Sequence, residues 1–372
     1  MTASLYIHVP FCAAFCDYCD FFSLEVTEDT RRQMDAFIGA VIADIRRQIE
    51  FFNIDEIPTV YIGGGTPSAL GAKRIRVLLN ALNALPGFSP LEFTVEANPE
   101  SADEEFLQVC REGGVSRLSL GVQTFHEPSR RLVNRAGRAD ILDKRLSLVS
   151  RFFPDNFSAD LIAGLPGQSE KIALEDIERL LEYAPAHVSL YSLSVESGTL
   201  LQRKIKSKEI ALPARDEADA IWLAGRDALK DAGFQHYEVS NFARPEKRSL
   251  HNIRYWLMKS WFAAGPAASA TIVNEEKGTA KRCTYPADLD AYLQASFPDT
   301  AVCEDLDRAA LKEESLLMGY RYCEGPDAAQ FRRRFGVSIE DCIPQTLARW
   351  KEKDKLLFLN GFLREAFLEL GE

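Results

Sequence analysis

The sequence predicts an α/β fold, a parallel sheet open or partly closed into a barrel, followed by a smaller, mainly helical C-terminal part. Three observations carry this expectation. Between residues 3 and 194, short apolar runs alternate six times with longer stretches of helical period. Several of those runs are apolar only at every second position, which leaves one face of the sheet polar. Beyond about residue 195 the strand–helix rhythm fades.

The six runs are LYIHV (5–9), TVYIG (59–63), LEFTVEA (91–97), RLSLGV (117–122), SADLIAG (158–164) and HVSLYSL (187–193). Between the first two, Met34, Phe37, Ile38, Val41, Ile42, Ile45 and Ile49 recur at the spacing of one helix face. The stretches 68–85, 103–112, 138–152 and 169–183 read as helices in the same way. Parallel strands covered on both faces are usually continuously apolar. Here Leu5, Ile7 and Val9 set Tyr6 and His8 on the opposite face, and Leu91, Phe93 and Val95 do the same for Glu92, Thr94 and Glu96. A polar inner face suits a barrel that holds a ligand, with the site at the C-terminal ends of the strands. Tyr6, Glu96, Gln123 and Asp160 are placed near such ends. A helix near 213–232 then leads to HYEVSNFA (236–243), a Pro-and-charge loop and HNIRYW (251–256), and 305–372 reads as amphipathic helices. This divides the chain into a barrel (1–235), a connecting segment (236–304) and a helical C-terminal domain (305–372).

Composition narrows the function classes. In 372 residues, 46% are apolar and 27% charged, as in an ordinary globular protein. Lys and Arg number 44 against 55 Asp and Glu, a net charge of −11, and so nucleic acid is disfavoured as a partner. The basic stretches QRKIKSK (202–208) and RRR (332–334) read as solvated helix faces, and the acidic balance argues against DNA binding by the C-terminal helices. No signal-like N-terminus and no run near the ~18 apolar residues of a membrane span is present; the expectation is a cytoplasmic protein without an integral membrane segment.

Eight cysteines stand at 12, 16, 19, 110, 283, 303, 323 and 342. Five are scattered and read as small buried hydrophobes. Cys12, Cys16 and Cys19 form C-x3-C-x2-C in the loop after the first strand. Thiolates are the usual ligands of iron–sulfur clusters, and three of them leave one iron of a [4Fe–4S] cluster free to chelate a small molecule. Structural zinc is the competing reading, although it wants four closed ligands. GGGTPS (63–68) follows the second strand at the same sheet end; it is neither a Walker loop nor G-x-G-x-x-G. Three glycines let the backbone approach a ligand closely.

These motifs together resemble the radical S-adenosylmethionine (SAM) superfamily, and within it the branch of oxygen-independent coproporphyrinogen III oxidases and HemW-type heme chaperones. The residues that carry the resemblance are YIHVPFCAAFCDYCDF (6–21), GGGTPS (63–68), VEANPE (95–100), RLSLGVQTF (117–125), DLIAGLPGQS (160–169), YSLSVESGT (191–199) and HYEVSNFA (236–243). The resemblance implies a partial (β/α)6 TIM-type barrel. It implies a [4Fe–4S] cluster on Cys12, Cys16 and Cys19, and SAM contacts from Tyr6, Tyr18, Gly64, Gly65, Thr66, Glu96, Gln123, Arg135 and Asp160. In true oxidases the cysteine motif continues as C-x2-C-x-C behind a longer N-terminal region; here Asp20 and Phe21 follow Cys19, as in the chaperones. HNIRYW fits the chaperones' H-N-x-x-Y-W segment, which makes His251 a candidate heme ligand. The implied function is binding of heme and its delivery to apo-hemoproteins or respiratory enzymes, with an electron donor to the cluster. Anaerobic coproporphyrinogen III oxidation, in which a 5′-deoxyadenosyl radical drives decarboxylation, stands as the alternative. Two departures from the family pattern remain. GPAASA (265–270) lacks the second glycine and the histidine of the usual segment, and the C-terminus from 353 is shortened.

Overall fold

The computed structural model describes residues 1–371 apart from 136, 138, 295 and 296. Six parallel strands form its centre: β1 (Ser4–Val9), β2 (Thr59–Gly64), β3 (Glu92–Ala97), β4 (Arg117–Gln123), β5 (Phe157–Ala163) and β6 (His187–Ser192). The helices between them are α1 (Glu28–Phe52), α2 (Gly71–Asn83), α3 (Glu104–Glu112), α4 (Glu127–Leu132), α5 (Ala139–Phe152) and α6 (Glu170–Leu181). The expected strands and helices are all there, within a few residues of the boundaries read from the sequence; residue 138, expected to open α5, lies outside the described residues.

Alternation along the strands sets the two faces of the sheet. Leu5, Ile7 and Val9 are buried against the helices and align with Val60 and Ile62 of β2. Val60 pairs in turn with Phe93, and Val95 with Leu118. On the inner face, Tyr6 pairs with Tyr61, Glu96 with Ser119, and Asp160 with Gly121 and Ser189. Because side chains alternate with a period of two, every inward polar position is fixed once one apolar position is fixed. The long helix α1 is capped by Thr27, whose hydroxyl accepts from the Thr30 amide, and it buries Met34, Phe37, Ile38, Val41 and Ile45 on the sheet.

The segment 236–304 is more than a connector. It supplies β7 (Gln235–Glu238), β8 (Asn241–Ala243), β9 (Trp261–Ala264), β10 (Ser269–Asn274), β11 (Thr279–Thr284) and, from 302, β12 (Val302–Leu306). These extend the sheet to the order β12-β11-β10-β9-β1-β2-β3-β4-β5-β6-β8-β7. β9 is parallel to β1, and the other added strands are antiparallel to their neighbours. They lie toward the edges, where short strands carry mixed polar sequence and give no clean alternation.

The remaining helices are α7 (Leu200–Lys206), α8 (Arg215–Asp231), α9 (Leu250–Trp256), α10 (Leu289–Gln294), α11 (Arg308–Gly319), α12 (Ala328–Phe335), α13 (Ile339–Cys342), α14 (Pro344–Arg349) and α15 (Leu359–Gly371). α11 to α15 form a second core around Leu316, Phe331, Ile343, Trp350 and Phe362, seated on Met258, Val273 and Ala280. Arg334 corrects the reading of 332–334 as a solvated face. It is 2% exposed and donates to the Met258 carbonyl and to Glu275.

The scattered cysteines are likewise not all buried hydrophobes. Cys110 is buried, but Cys283 and Cys303 face each other across β11 and β12 and form a disulfide, and Cys323 is exposed. Among the described residues no helix is long and apolar enough to cross a membrane.

Candidate functional site

A cavity of about 660 Å³ opens at the C-terminal ends of β1 to β6. The loop after β1 brings Cys12, Cys16 and Cys19 to its wall as free, half-buried thiols, with Tyr18 between them. Gly64, Gly65 and Thr66 come from the turn after β2, Glu96 from β3, Gln123 from β4, Asp160 from β5, and Arg135 from the segment after α4. Of the twelve residues expected to hold a cluster and SAM, eleven therefore meet in one cavity.

Close packing explains the glycines. Gly64 has φ +105°, and a Cβ there would lie 2.6 Å from the His8 ring; at Gly65 it would lie 2.9 Å from the Val9 carbonyl. The turn is thus pressed onto the end of β1 and the root of the cysteine loop, which no side chain would permit. Thr66 links the two loops directly, its hydroxyl 3.4 Å from Cys12 Sγ. Asn98 donates to Thr66 Oγ1 at 3.0 Å and accepts from Arg135 at 2.7 Å. Arg135 also donates to the Gly121 carbonyl at 2.6 Å and to Cys16 Sγ at 3.5 Å.

Two features missed in the sequence make this network possible. Asn98 sits within VEANPE without a sign that it bridges two loops. Gly121 lies inside β4, where a Cβ would come within 2.9 Å of Arg135; a strand-interior glycine is the usual mark of such a close approach. A register shift between Gly121 and Gln123, with Gln123 at φ +68°, turns the Gln123 side chain into the cavity. Ser119 and Tyr191 complete the wall.

Charge inside the cavity is organised by burial. Glu96 accepts from Tyr61 Oη at 2.6 Å and from the Gly64 amide at 3.2 Å, yet burial pushes its carboxyl up to about 7. Burial also pushes Asp160 up to about 6, against a hydrogen bond from Ser119 at 3.3 Å. Buried carboxyl groups in that range are short of a cation or of further donors. Arg135 presents the opposite case: its Nε is buried and has no hydrogen-bond partner, so an acceptor fits there. The Cys19 thiol is raised to about 11 and Cys12 is raised too, chiefly by burial; a bound metal removes those protons.

The residues present fit the groups expected of them. Two carboxyl groups and an unpaired guanidinium nitrogen match a ligand that carries an ammonium and a carboxylate. Three thiols on the rim match a cluster that takes each on a different iron. Among the described residues, no three His, Cys, Asp or Glu side chains converge as the ligands of a single metal ion do.

Two expected residues lie elsewhere. Tyr6 does not line the cavity. It points into the barrel beneath it, where its hydroxyl meets His8 Nδ1 at 3.0 Å and its ring lies 6.3 Å from that of Tyr61. His251 is a larger departure. It lies on α9, which plugs the opposite, N-terminal end of the strands, and it is fully buried. Its Nδ1 meets Thr59 Oγ1 at 2.9 Å, and its ring packs on Tyr61 and Tyr255. Glu92 holds the helix there by accepting from the Leu250 and His251 amides at 3.0 Å, with Arg117 paired to it at 3.2 Å. His251 Nε2 is buried without a hydrogen-bond partner, so the structure places His251 in the packing of the strand ends, apart from the cavity.

Comparison with known proteins bears on the whole arrangement. Residues 6–184 match the model of the radical SAM superfamily. The chain is 34% identical over 343 residues to heme chaperone HemW of Lactococcus lactis, covering 91% of this chain and 86% of that one. It is 29% identical to heme chaperone HemW of Escherichia coli, covering 92% and 88%. The mitochondrial radical S-adenosyl methionine domain-containing protein 1 of mouse is 33% identical, covering 86% and 73%. Coproporphyrinogen III oxidase HemN of Escherichia coli superimposes with a TM-score of 0.81 at 20% identity, covering 98% of this chain and 90% of that one. At that identity the likeness speaks for the fold alone. The family implies a [4Fe–4S] cluster and SAM. With extended identity above 30% to a HemW protein and the thiol, glycine and arginine groups brought into one cavity, the chain belongs to the HemW family of the radical SAM superfamily.

Proposed function

We propose that this chain is a heme chaperone that holds a [4Fe–4S] cluster and SAM, binds heme, and passes it to apo-hemoproteins or respiratory enzymes in the cytoplasm. The observation that carries this reading is the identity of 34% across 91% of the chain to a protein named heme chaperone HemW. Cys12, Cys16 and Cys19 would ligate the cluster. Thr66 and Arg135, which meet Cys12 and Cys16, would stabilise the thiolate forms by donating to sulfur. Arg135 Nε would take the carboxylate of SAM, and Gly64 and Gly65 would let the backbone close on it. Glu96, Asp160, Gln123 and Tyr18 would receive its ammonium and hydroxyl groups.

When bound and reduced, the cluster would supply one electron to SAM, and a one-electron donor would serve it. Tyr6 takes a supporting part, bracing His8 against the glycine turn rather than touching the ligand. The oxidase reading rests on the likeness to HemN, which carries the fold only.

An anaerobic experiment separates the two. Cluster-reconstituted protein is titrated with heme, mixed with apomyoglobin, and incubated with coproporphyrinogen III, SAM and a reductant. Saturable heme binding, transfer to apomyoglobin and unchanged coproporphyrinogen are expected. Decarboxylated tetrapyrrole without heme binding would move the chain to the oxidases.

A further inference from the structure

Gly63, the first glycine of GGGTPS, does not line the cavity, yet no side chain fits there. A Cβ on it would lie 2.7 Å from the Tyr61 ring and 2.9 Å from the Glu96 carboxyl carbon. What the glycine leaves room for is the contact between those two residues, in which Tyr61 Oη donates to Glu96 Oε1 at 2.6 Å. That separation belongs to the short, charge-assisted class of O–H···O hydrogen bonds.

Tyr61 stands on the inner face of β2, opposite Tyr6 of β1 and Thr94 of β3. Its ring packs on those of Tyr6 and His251, with centroids 6.3 Å and 5.2 Å away, so the hydroxyl is carried on a braced ring. Burial, and Glu96 after it, raises that hydroxyl well above its ordinary 10. It therefore stays a donor throughout the range in which Glu96 titrates.

Glu96 depends on this donor. Burial pushes its carboxyl up, and the Tyr61 hydrogen bond is the largest influence pulling it back; Asp160 of β5 pushes it up further, and the Gly64 amide lowers it less. The other titratable groups facing it, Tyr6 of β1 and Tyr191 of β6, are hydroxyls raised chiefly by burial, and they stay neutral. Arg135 acts on Asp160 instead of on Glu96. A carboxylate offers about four acceptor sites. Tyr61 and the Gly64 amide fill one on each oxygen, which leaves room on both for a ligand's donors.

We propose that Tyr61 is a positioning residue for SAM: its hydroxyl aims the Glu96 carboxylate at the place of the SAM ammonium and, by donating to it, keeps it charged. This rests on the reading of the cavity as the SAM site and adds to it a residue outside the cavity wall. A carboxyl that receives an ammonium must give up its proton, so whatever favours its charged form before binding strengthens binding.

The test is anaerobic calorimetry of SAM binding to cluster-reconstituted protein from pH 6 to pH 9, with wild type against Tyr61→Phe, which keeps the ring and removes the hydroxyl. The ratio of the two affinities at each pH cancels the titration of SAM itself and of Asp160. Binding by the variant should be about tenfold weaker at pH 6, where loss of the donor leaves Glu96 more fully protonated, and within about threefold at pH 9, where Glu96 is charged in both. Tyr183→Phe removes a hydroxyl bonded to Asp143 at 2.8 Å, away from the cavity, and should bind as wild type does at every pH. In a Glu96→Gln background, Tyr61→Phe should add no pH-dependent loss. Iron content and circular dichroism report whether each variant has folded. No loss in Tyr61→Phe, a loss equal at every pH, or a pH-dependent loss that survives in Glu96→Gln or recurs in Tyr183→Phe overturns the proposal and leaves the SAM reading intact. Failure of wild-type protein to bind SAM overturns both.

Discussion

Asn98 illustrates how much of the site depends on a residue with no reactive chemistry of its own. It holds Thr66 with its amide and Arg135 with its carbonyl, so Asn98→Ala frees the glycine turn and the guanidinium together. SAM affinity, measured by calorimetry on reconstituted protein, should fall about tenfold, the effect of one lost charge-assisted hydrogen bond, while iron content stays near that of wild type. Glu96 sets a pH dependence. Its folded value, about 7, lies above its ordinary 4.5 because burial disfavours the carboxylate. The folded state then holds the proton more tightly than the unfolded chain, and stability of the ligand-free protein falls as pH rises from about 4.5 to about 7. The contribution is at most on the order of 3 kcal/mol. Thermal midpoints from pH 4.5 to 8 should show this fall in the wild type and a shallower one in Glu96→Gln, with Asp160 supplying the remainder; identical slopes would count against it. Ala267 carries a different strain. It stands where the family pattern has its second glycine, and it adopts φ +62°, a left-handed conformation that costs an L-residue about 1 kcal/mol. Ala267→Gly should therefore stabilise the protein by roughly 0.5 kcal/mol in urea unfolding, after the added entropy of the unfolded chain is deducted.

Among the elements, the six parallel strands were legible because their alternation is local: Leu5, Ile7 and Val9 declare one face without knowledge of any partner. β7 to β12 were not, since strands such as TAKRCT (279–284) carry no alternation and owe their place to pairing with distant strands. The cysteine loop and the glycine turn were legible for a similar reason, each lying directly after a recognisable strand, whereas Asn98 and Gly121 act through partners brought close only by the fold. α9 shows the limit most clearly. HNIRYW reads as a heme segment, yet the Glu92 carboxylate on its N-terminal amides and the Arg254–Ser4 hydrogen bond at 2.6 Å make it the plug of the barrel. His251→Ala should then cost about 2 kcal/mol or more of stability, as a cavity in a buried site does, and a heme titration of the folded fraction reads the ligand role separately. A selective loss of heme binding at full stability would make His251 a ligand, and unchanged binding would leave it a packing residue. The Cys283–Cys303 bond closes a loop of 20 residues that includes α10. Loop-closure entropy assigns it about 3 kcal/mol, so Cys303→Ser should lower the unfolding midpoint under oxidising conditions and leave it unaltered in a reducing buffer.

At the scale of the whole molecule, the division into a barrel, a connector and a helical domain yields to two cores that share a sheet. The first packs α1 to α3, α5, α6 and α8 on the strands; the second packs α11 to α15 on Met258, Val273 and Ala280, and the latter two belong to β10 and β11. Those strands also bury Ala270 and Cys283 in the first core, so neither core can lose them and stay intact. Polar ties run the same way: Arg334 of α12 reaches the Met258 carbonyl, and Arg282 of β11 reaches Glu314 of α11 at 2.7 Å. Shared strands make the unfolding of one core expose apolar surface of the other, the condition for a single cooperative transition. The four tryptophans allow a direct reading. Trp222 packs against the first core, and Trp350 belongs to the second. In urea, a variant that keeps only Trp222 and one that keeps only Trp350 should give fluorescence transitions that coincide with each other and with circular dichroism, once each is referred to its own circular dichroism midpoint. Transitions separated along the denaturant axis would mean that the C-terminal helices fold as an independent domain, and that the sheet carries no coupling between them and the cavity.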